Sequence, residues 1–351
     1  MIELLKKTWW KYTAVLILLY VIIGGMMVPL GPGILSVDPL TFSSDTTVGF
    51  TVTGFNTHFR KADDVQVWFK NGTDFYCADH VQPLTDGSIK ASFSFPSASA
   101  MKLTRPGFDV VVNDKQDGTI SLRDAVALAP GAGGDSSSAR AACQPVVAVN
   151  KSTNFDFPYR EILYQSIRNT FFHVPMWFSM MFILIFSLVY SIRYLNSGNM
   201  EYDILASQAV NVALLFGLLG LATGSVWARY TWGSFWPNDP KIQGAAVGVI
   251  IYLAYIVLRG SLTDEIKRAR ISAVYNVFAI VIFTLFIFII PRLTDSLHPG
   301  NGGNPAFSKY DLDSHLRLFF YPAVIGWLLL CCWVASLNIR TERIKRHLQN
   351  Q

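Results

Sequence analysis

Five aromatic side chains lie within ten residues of one another near the middle of the chain, a density that suits stacking on a flat apolar ligand. Tryptophan is common at a membrane edge, but that preference accounts for one or two rings at the end of a span and not for five. Gly233 and Pro237 interrupt regular helix here, so we expect an aromatic loop over residues 227–241. Its rings are Trp227, Tyr230, Trp232, Phe235 and Trp236.

Charged residues within and directly after these rings suit a ligand that has acidic edges. Arg229 lies among the rings, and Asp239 and Lys241 follow them. Arg229 or Lys241 would meet a carboxylate of the ligand. We interpret Asp239 as an N-cap of the next helix or as a hydrogen-bond acceptor in the loop, rather than as a catalytic base.

Two of the six histidines flank the aromatic residues in the chain. His173 lies at the start of one apolar run, and His298 lies in a glycine-containing loop between two later runs. One such histidine is usually an interfacial hydrogen-bonding residue, but two beside an aromatic shelf favour metal ligands. A porphyrin iron takes one imidazole from each face, so haem satisfies the rings, the cations and the paired histidines together. His315 ranks third because no loop-forming glycines surround it.

The composition predicts that a membrane protein carries these residues. Of the 351 residues, 51% are hydrophobic and 15% are charged, and the mean hydropathy is +0.34. The net charge of +5 comes from basic residues beside apolar runs and not from a basic stripe, which argues against nucleic acid as a partner. Cys331 and Cys332 lie in an apolar run as packing residues, whereas a disulfide between Cys77 and Cys143 stays an open alternative.

Six apolar runs are long enough to cross a bilayer as helices, and none of them contains a histidine. Three lysines precede the first run. A signal peptide is the alternative there, but the run is long and no clear cleavage site follows, so we predict an uncleaved span with a cytoplasmic N-terminus. Basic residues after the fourth and sixth runs predict a cytoplasmic C-terminus. The runs are 13–30, 174–191, 206–226, 244–258, 274–290 and 318–337.

Between the first two runs, apolar and polar residues alternate in short stretches separated by Asn71-Gly72, Asp86-Gly87 and Asp117-Gly118, which are hairpin signals. The fold class is therefore an all-α polytopic membrane protein of about six transmembrane helices with an inserted extracytoplasmic all-β, sandwich-like domain. The predicted topology puts this domain and both site loops on the outer side. We divide the chain into a first span (1–36), a β domain with a linker (37–154), a membrane domain (155–339) and a basic tail (340–351).

Four motifs carry a family resemblance. They are Phe-His-Val-Pro-Met-Trp at 172–177, Gly-Ser-Val-Trp at 224–227, Thr-Trp-Gly-Ser-Phe-Trp-Pro-Asn-Asp-Pro-Lys at 231–241 and Ser-Leu-His-Pro-Gly at 296–300. Together they resemble the CcmC (haem exporter protein C) family of cytochrome c biogenesis proteins, which handle haem through a tryptophan-rich (WWD) domain. The resemblance covers about residues 159–351 and the first span.

The resemblance implies that haem b is held at the outer face of a bacterial inner membrane, with His173 and His298 as axial ligands of its iron. It also implies that haem is handed, without turnover chemistry, to the periplasmic haem chaperone CcmE beside the ABC transporter subunits CcmA and CcmB and the small protein CcmD. The predicted cofactor-binding residues are His173, His298, Trp227, Trp232, Phe235, Trp236, Asp239, Lys241 and Arg229.

Two features depart from the family pattern. The family commonly has further tryptophans where Phe235 and Asn238 stand here, which predicts weaker stacking or a rotated haem. The β domain stands where the family has a short loop, so no family role transfers to it. A spacer and a docking surface for the chaperone or the apocytochrome are the alternatives, and we favour docking.

Two other hypotheses stay open. A cytochrome c synthase of the related CcsA type would attach haem directly to apocytochrome c, but such proteins usually have more spans and further histidines within the membrane. A transport or sensory protein, whose aromatic residues form only a membrane belt, is the third hypothesis. The nearly uncharged spans argue against a permeation path.

Overall fold

The computed structural model describes residues 8–44, 47–62, 64–96, 101, 103–129, 143, 154–294, 296–298, 312–349 and 351. The chain divides into two compact units. Met1–Val28 and Gln165–Gln351 form a helical unit, and Pro29–Tyr164 form a unit built of strands. The site predicted from the histidines and aromatic rings belongs to the helical unit.

Among its described residues, the helical unit contains six helices that are long and apolar enough to cross a membrane, which agrees with the predicted number of spans. The helix Pro240–Ser261 extends beyond the short run at 244–258 at both ends, so that run borrows flanking residues as expected. A 3₁₀ helix at Tyr164–Phe171 precedes α2, and a π-helical turn at Leu285–Ile289 joins α5 to α6. The helices are α1 Trp9–Met27, α2 His173–Ser197, α3 Met200–Trp232, α4 Pro240–Ser261, α5 Glu265–Thr284, α6 Ile290–Leu293 and α7 Ser314–Gln349.

A two-residue turn makes α2 and α3 antiparallel neighbours. Gly198 ends α2 in the left-handed conformation, with φ of 68°, which a residue with a side chain rarely adopts. Asn199 then caps α3, because its side-chain oxygen accepts a hydrogen bond from the Glu201 amide at 2.9 Å. The part of α3 around Gly224 is therefore brought back to the level at which α2 begins, and α3 continues beyond it to Trp232.

Ion pairs hold together the end of the helical unit at which α3 begins and α4 and α7 end. Asp203 near the start of α3 is buried, and its two carboxylate oxygens accept hydrogen bonds from the Arg259 guanidinium at 2.7 and 2.6 Å. Arg346 of α7 lies 3.6 Å from the same carboxylate. Because removing one partner would strand a buried charge, these pairs tie α3, α4 and α7 together at this end.

The strand unit is a two-layer sandwich, as the alternating pattern predicted. A four-stranded sheet has the order β1-β3-β7-β6, and a five-stranded sheet has the order β2-β9-β8-β4-β5. Phe69 of the second sheet packs between Phe50 and Phe93 of the first, with ring centroids 4.9 and 4.4 Å away. The strands are β1 Gly33–Asp38, β2 Thr41–Phe42, β3 Thr47–Phe55, β4 Gln66–Asn71, β5 Asp74–Cys77, β6 His80–Thr85, β7 Ser88–Ser94, β8 Gly107–Asp114 and β9 Gly118–Leu128.

All three predicted hairpin turns join neighbouring strands. They connect β4 to β5, β6 to β7 and β8 to β9, and Gly72 and Gly118 adopt the positive φ that such turns require. Asn71 is buried, and its amide nitrogen donates to the carbonyls of Arg105 and Gly107 at 2.8 and 2.9 Å. The first turn is therefore held by its own side chain as well as by its glycine.

The unit boundaries differ from those predicted at residues 36 and 154. Residues 29–36 belong to the strand unit, because β1 begins at Gly33 and pairs with β3. Residues 155–164 belong to it as well, since Phe157 exchanges backbone hydrogen bonds with Pro29 and Gly31. The apolar residues between Val28 and Ile34 extended the first run in the sequence, although α1 ends at Met27.

A disulfide joins Cys77 and Cys143, which settles the alternative left open above. Cys77 ends the edge strand β5, and the Cys143 amide donates to the Phe75 carbonyl of the same strand at 3.1 Å. The bridge closes a long loop, with a sequence separation of 66 residues. It therefore restricts the unfolded chain strongly and fastens residue 143 to the edge of the sheet.

We expect the Cys77→Ser, Cys143→Ser double variant to lower the free energy of unfolding of the strand unit by about 2–4 kcal/mol, since the unfolded chain regains its loop entropy. Thermal unfolding of the full-length protein, followed by circular dichroism in detergent, measures the change. Reductant should destabilise the wild type to the level of the variant and leave the variant unaffected. Equal stability of the oxidised wild type and the variant would contradict the prediction.

Candidate functional site

The aromatic segment is more helical than predicted. α3 continues through Trp227 to Trp232, and α4 starts at Pro240, so only residues 233–239 form a loop. The prediction of a loop across all of 227–241 is wrong because Gly233 ends the helix at its own position without breaking the preceding turn. It has φ of 80°, and its amide donates to the Arg229 carbonyl at 3.1 Å. The first rings of the segment therefore stand on a rigid helix end.

His173 is the first residue of α2, and its ring is oriented by α3. Its Nδ1 lies 3.0 Å from the Gly220 carbonyl oxygen and 3.3 Å from Thr223 Oγ1. Since a carbonyl oxygen only accepts hydrogen bonds, Nδ1 carries the proton and Nε2 keeps its lone pair. This is the tautomer that allows Nε2 to bind a metal.

Two tryptophans stand edge-on to His173. The ring of Trp227 is centred 5.7 Å away at an interplanar angle of 80°, and that of Trp177 is 6.4 Å away at 77°. The indole nitrogen of Trp227 donates to Ser166 Oγ at 3.1 Å. The side-chain amide of Asn169 donates to the Thr223 carbonyl at 2.9 Å. The 3₁₀ helix thereby fixes both the entry to α2 and one wall beside its first residue.

His298 is oriented by Asp239, which sits at the start of α4. The Nδ1 of His298 lies 3.0 Å from one carboxylate oxygen of Asp239, and that oxygen also accepts from the amides of Lys241 and Ile242. The other oxygen accepts from Ser296 Oγ at 2.8 Å and from the Leu297 amide at 2.7 Å. One buried carboxylate therefore caps α4 and also holds the segment that carries His298. Asp239 thus has both of the roles that the sequence offered as alternatives, the N-cap and the hydrogen-bond acceptor in the loop.

The charge states of Asp239 and His298 follow from these hydrogen bonds and from burial. Burial opposes ionisation of Asp239, but the hydrogen bonds from Ser296 and Leu297 and the nearby His298 outweigh it and hold the pKa of Asp239 below its usual value. Burial lowers the pKa of His298 below its usual value, although Asp239 opposes this shift. At neutral pH a charged Asp239 thus accepts from a neutral His298, whose Nε2 keeps a lone pair.

The two histidines and the rings form one neighbourhood. His298 and Lys241 lie near enough to His173 to act on it electrostatically. The ring of Trp232 is centred 4.9 Å from that of His298 at 59°, so each histidine has a tryptophan of α3 beside it. Phe235, Trp236 and Tyr230 are exposed, so the segment leaves apolar ring surface accessible.

Three cations, Arg229, Lys241 and Arg292, lie beside residues of the site. The sequence does not single out Arg292. The Arg229 guanidinium lies 5.9 Å from the ring centre of Phe235 and donates to the Gly233 carbonyl. Arg292 lies close enough to Lys241 to act on it electrostatically. An arginine after the fifth span, on the side that the predicted topology places outside, departs from the usual bias of basic residues and was the available signal.

The π-helical turn was also missed. A Cβ on Gly244 of α4 would collide with the carbonyl oxygen of Phe286, so the turn packs directly on the α4 backbone near its start. Single π-helical turns inside α-helices are frequent at functional sites. Here the turn precedes α6 and the 296–298 segment in the chain.

His315 is the second residue of α7, and its Nδ1 lies 3.9 Å from an oxygen of Asp313. His173 and His315 lie in the first turns of α2 and α7, and His347 lies in the last turn of α7. All three are outside the apolar runs at 174–191 and 318–337, which contain no histidine.

The donor set suits a metal that brings ligands of its own. Among the residues that the structure describes, no group of three or more His, Cys, Asp and Glu side chains could hold a bare metal ion. A porphyrin supplies four nitrogens to its iron and needs only axial ligands from the protein. Two neutral imidazoles beside tryptophan rings fit that requirement.

Fold and site define a polytopic helical membrane protein with two histidines and several aromatic rings at one end of its helical unit. A family model described as CcmC, Heme exporter protein C, matches residues 153–351, and the chain belongs to this family. The matched region contains α2 through α7 and every residue of the site. α1 and most of the strand unit lie outside it, although the resemblance had been expected to include the first span.

Individual relatives agree with this assignment. Heme exporter protein C of Paracoccus denitrificans is 24% identical over 183 residues, which cover 52% of this chain and 76% of the relative. The protein of the same name from Bradyrhizobium diazoefficiens is 26% identical over 185 residues, covering 53% and 70%. Cytochrome c biogenesis protein CcsA of Prochlorococcus marinus is 37% identical over 86 residues, covering 24% of this chain and 27% of the relative.

We expect Asp239→Asn to weaken haem affinity about 10–100-fold, because the amide still caps α4 but cannot accept all the donors that orient His298. Titration of the purified protein with haem, followed by absorbance, measures the affinity. Asp264→Asn is the matched control, since Asp264 caps α5 through the amides of Ile266 and Lys267 in the same way. Equal affinities of the two variants would show that Asp239 acts only as a cap.

Proposed function

We propose that the protein binds haem b at the outer face of a bacterial inner membrane and hands it to a periplasmic haem chaperone during cytochrome c maturation. The observation that carries the proposal is that His173 and His298 have the same tautomer and the same kind of hydrogen bond at Nδ1. Each places Nδ1 against a protein acceptor, so each keeps Nε2 for a metal, and the two lie close enough to interact electrostatically.

The chain's own residues divide the work of binding. The two imidazoles would be the axial ligands of the iron, and Trp227, Trp232, Phe235 and Trp236 would offer ring surface to the macrocycle. The haem supplies an iron whose two axial positions accept nitrogen ligands, and carboxylates at one edge of a flat apolar ring. The carboxylates would be met by cations, for which Arg229, Lys241 and Arg292 are the candidates.

Handover requires that haem be held in position and still be able to leave. His173 is the first residue of a packed helix, whereas His298 lies outside the helices in a segment that Asp239 holds through hydrogen bonds. Loss of these hydrogen bonds would release His298 without unfolding a helix. Loss of one axial bond would lower the affinity for haem and favour its transfer to a partner that binds it more tightly.

The partners and the orientation come from the family and from charge. CcmE would be the chaperone, with CcmA, CcmB and CcmD as the other components. Basic residues after α4 and at the end of α7 support cytoplasmic termini, and with that orientation the strand unit would lie outside. Its disulfide suits that oxidising side. We assign this unit to docking of the chaperone or the apocytochrome.

A cytochrome c synthase of the CcsA type is the second candidate. The match to the Prochlorococcus CcsA protein favours it, but that match spans only about a quarter of either chain. The longer matches are to proteins named as haem exporters, which are carriers rather than catalysts. Haem handling without bond-forming chemistry is therefore the better supported function.

We expect the His173→Ala, His298→Ala double variant, purified in detergent, to lack the Soret absorption that the wild type carries, since the iron loses both axial ligands. His315→Ala tests the third-ranked histidine and should keep the wild-type spectrum. His80→Ala, in the exposed edge strand β6, is the control in the strand unit. A full haem complement in the double variant would defeat the assignment.

Dependence on the chaperone separates the carrier from the synthase. In cells that contain this protein and a reporter apocytochrome c but no CcmE, we expect no covalent haem on the reporter, because a carrier needs a recipient. Haem staining after denaturing electrophoresis measures the product, and CcmE restored on a plasmid is the control. Mature reporter without CcmE would favour the synthase.

A further inference from the structure

We propose that Gly220, Thr223 and Gly224 of α3 are positioning residues that set how far His173 reaches toward the haem iron. The inference rests on the proposed function, in which His173 is an axial ligand. It adds that contacts from the neighbouring helix α3 fix both the position of the His173 ring and its tautomer.

Three glycines of α3 face three side chains of α2 in register. A Cβ added to Gly217 would lie 2.7 Å from Met180 Sδ, one on Gly220 would lie 2.9 Å from Trp177 Cε2, and one on Gly224 would lie 2.5 Å from His173 Cε1. The glycines recur at spacings of three and four residues, as do their partners in the reverse direction. The pattern is one continuous seam along two antiparallel helices, in which absent side chains make room for larger ones.

The seam holds His173 differently from the other two side chains. Met180 has three rotatable bonds and can move its sulfur away from a new methyl group. The His173 ring is held at Nδ1 by the Gly220 carbonyl and the Thr223 hydroxyl, both on the helix that would carry the new atom. A methyl group at position 224 therefore meets a ring that cannot rotate away without losing these hydrogen bonds.

The same contact lies beside the nitrogen that binds iron. Cε1 is the ring atom between Nδ1 and Nε2, and the added Cβ at Gly224 would stand 3.5 Å from Nε2 itself. Carbon atoms pack at about 3.5–4.0 Å, so relieving the overlap moves the ring by about 1 Å. Metal–ligand bonds tolerate about 0.2 Å, and the displaced Nε2 would no longer reach the iron.

Thr223 contributes to this positioning through its hydroxyl group. Its Oγ1 donates back to the Leu219 carbonyl at 2.8 Å, so its lone pairs face the proton on His173 Nδ1. Replacement by valine keeps the shape of the side chain and removes this acceptor. The Gly220 carbonyl would remain, so the loss should be smaller than that caused by a methyl group at position 224.

The test compares Gly224→Ala with Gly217→Ala in the full-length protein, using the absorption spectrum of bound haem. We expect Gly224→Ala to change the spectrum from six-coordinate low-spin to five-coordinate high-spin, with affinity reduced about 10-fold or more, while Gly217→Ala keeps the wild-type spectrum. Added imidazole should restore the six-coordinate spectrum of Gly224→Ala, because it replaces the ligand that no longer reaches. A folded Gly224→Ala protein with the wild-type spectrum overturns the inference.

Two further variants keep the outcomes separate. If Gly224→Ala does not fold, Thr223→Val decides, with a partial loss of the low-spin signal expected and an unchanged spectrum counting against the inference. His173→Ala tests the proposed function itself. If His173→Ala keeps the six-coordinate spectrum, the ligand assignment fails. If it loses that spectrum while Gly224→Ala does not, only the role of the seam fails.

Discussion

The site depends on one buried carboxylate whose five hydrogen bonds connect parts of the chain that are far apart in sequence. Asp239 joins the first turn of α4 to the segment that carries His298, about sixty residues later. A buried charge with several donors stays ionised and holds each donor in a fixed direction. Without it the imidazole of His298 would lose the acceptor that orients it.

The two histidines are held by different kinds of interaction. His298 donates to a charged carboxylate, whereas His173 donates to a neutral carbonyl and a hydroxyl group. A carboxylate partner makes an imidazole a more basic ligand than a carbonyl partner does. The two imidazoles are therefore chemically unequal, and as ligands of one iron they would differ in strength although they are of the same residue type.

The parts of the protein that the sequence predicted are those governed by local patterns. The six spans follow from apolar runs, and the three hairpins follow from Asn-Gly and Asp-Gly pairs. His173, His298 and the tryptophans were chosen by residue type and position along the predicted spans. The contact of Asp239 with His298, the place of Arg292 beside Lys241 and the π-helical turn were beyond reach, because they depend on tertiary packing. The predicted loop was too long because Gly233 is the C-cap of α3, and the residues before it, from Trp227 to Trp232, are still helical.

The π-helical turn between α5 and α6 bears on how the length of this region can vary among relatives. Such a turn contains one residue more than the α-helical path between the same two ends. A relative that lacks that residue continues α5 as ordinary helix and rotates everything beyond it by about 100°, the angle per residue of an α-helix. To return its histidine to the carboxylate, that relative needs a compensating residue between the helix and the histidine. Insertions and deletions on the two sides of α6 should therefore occur in pairs.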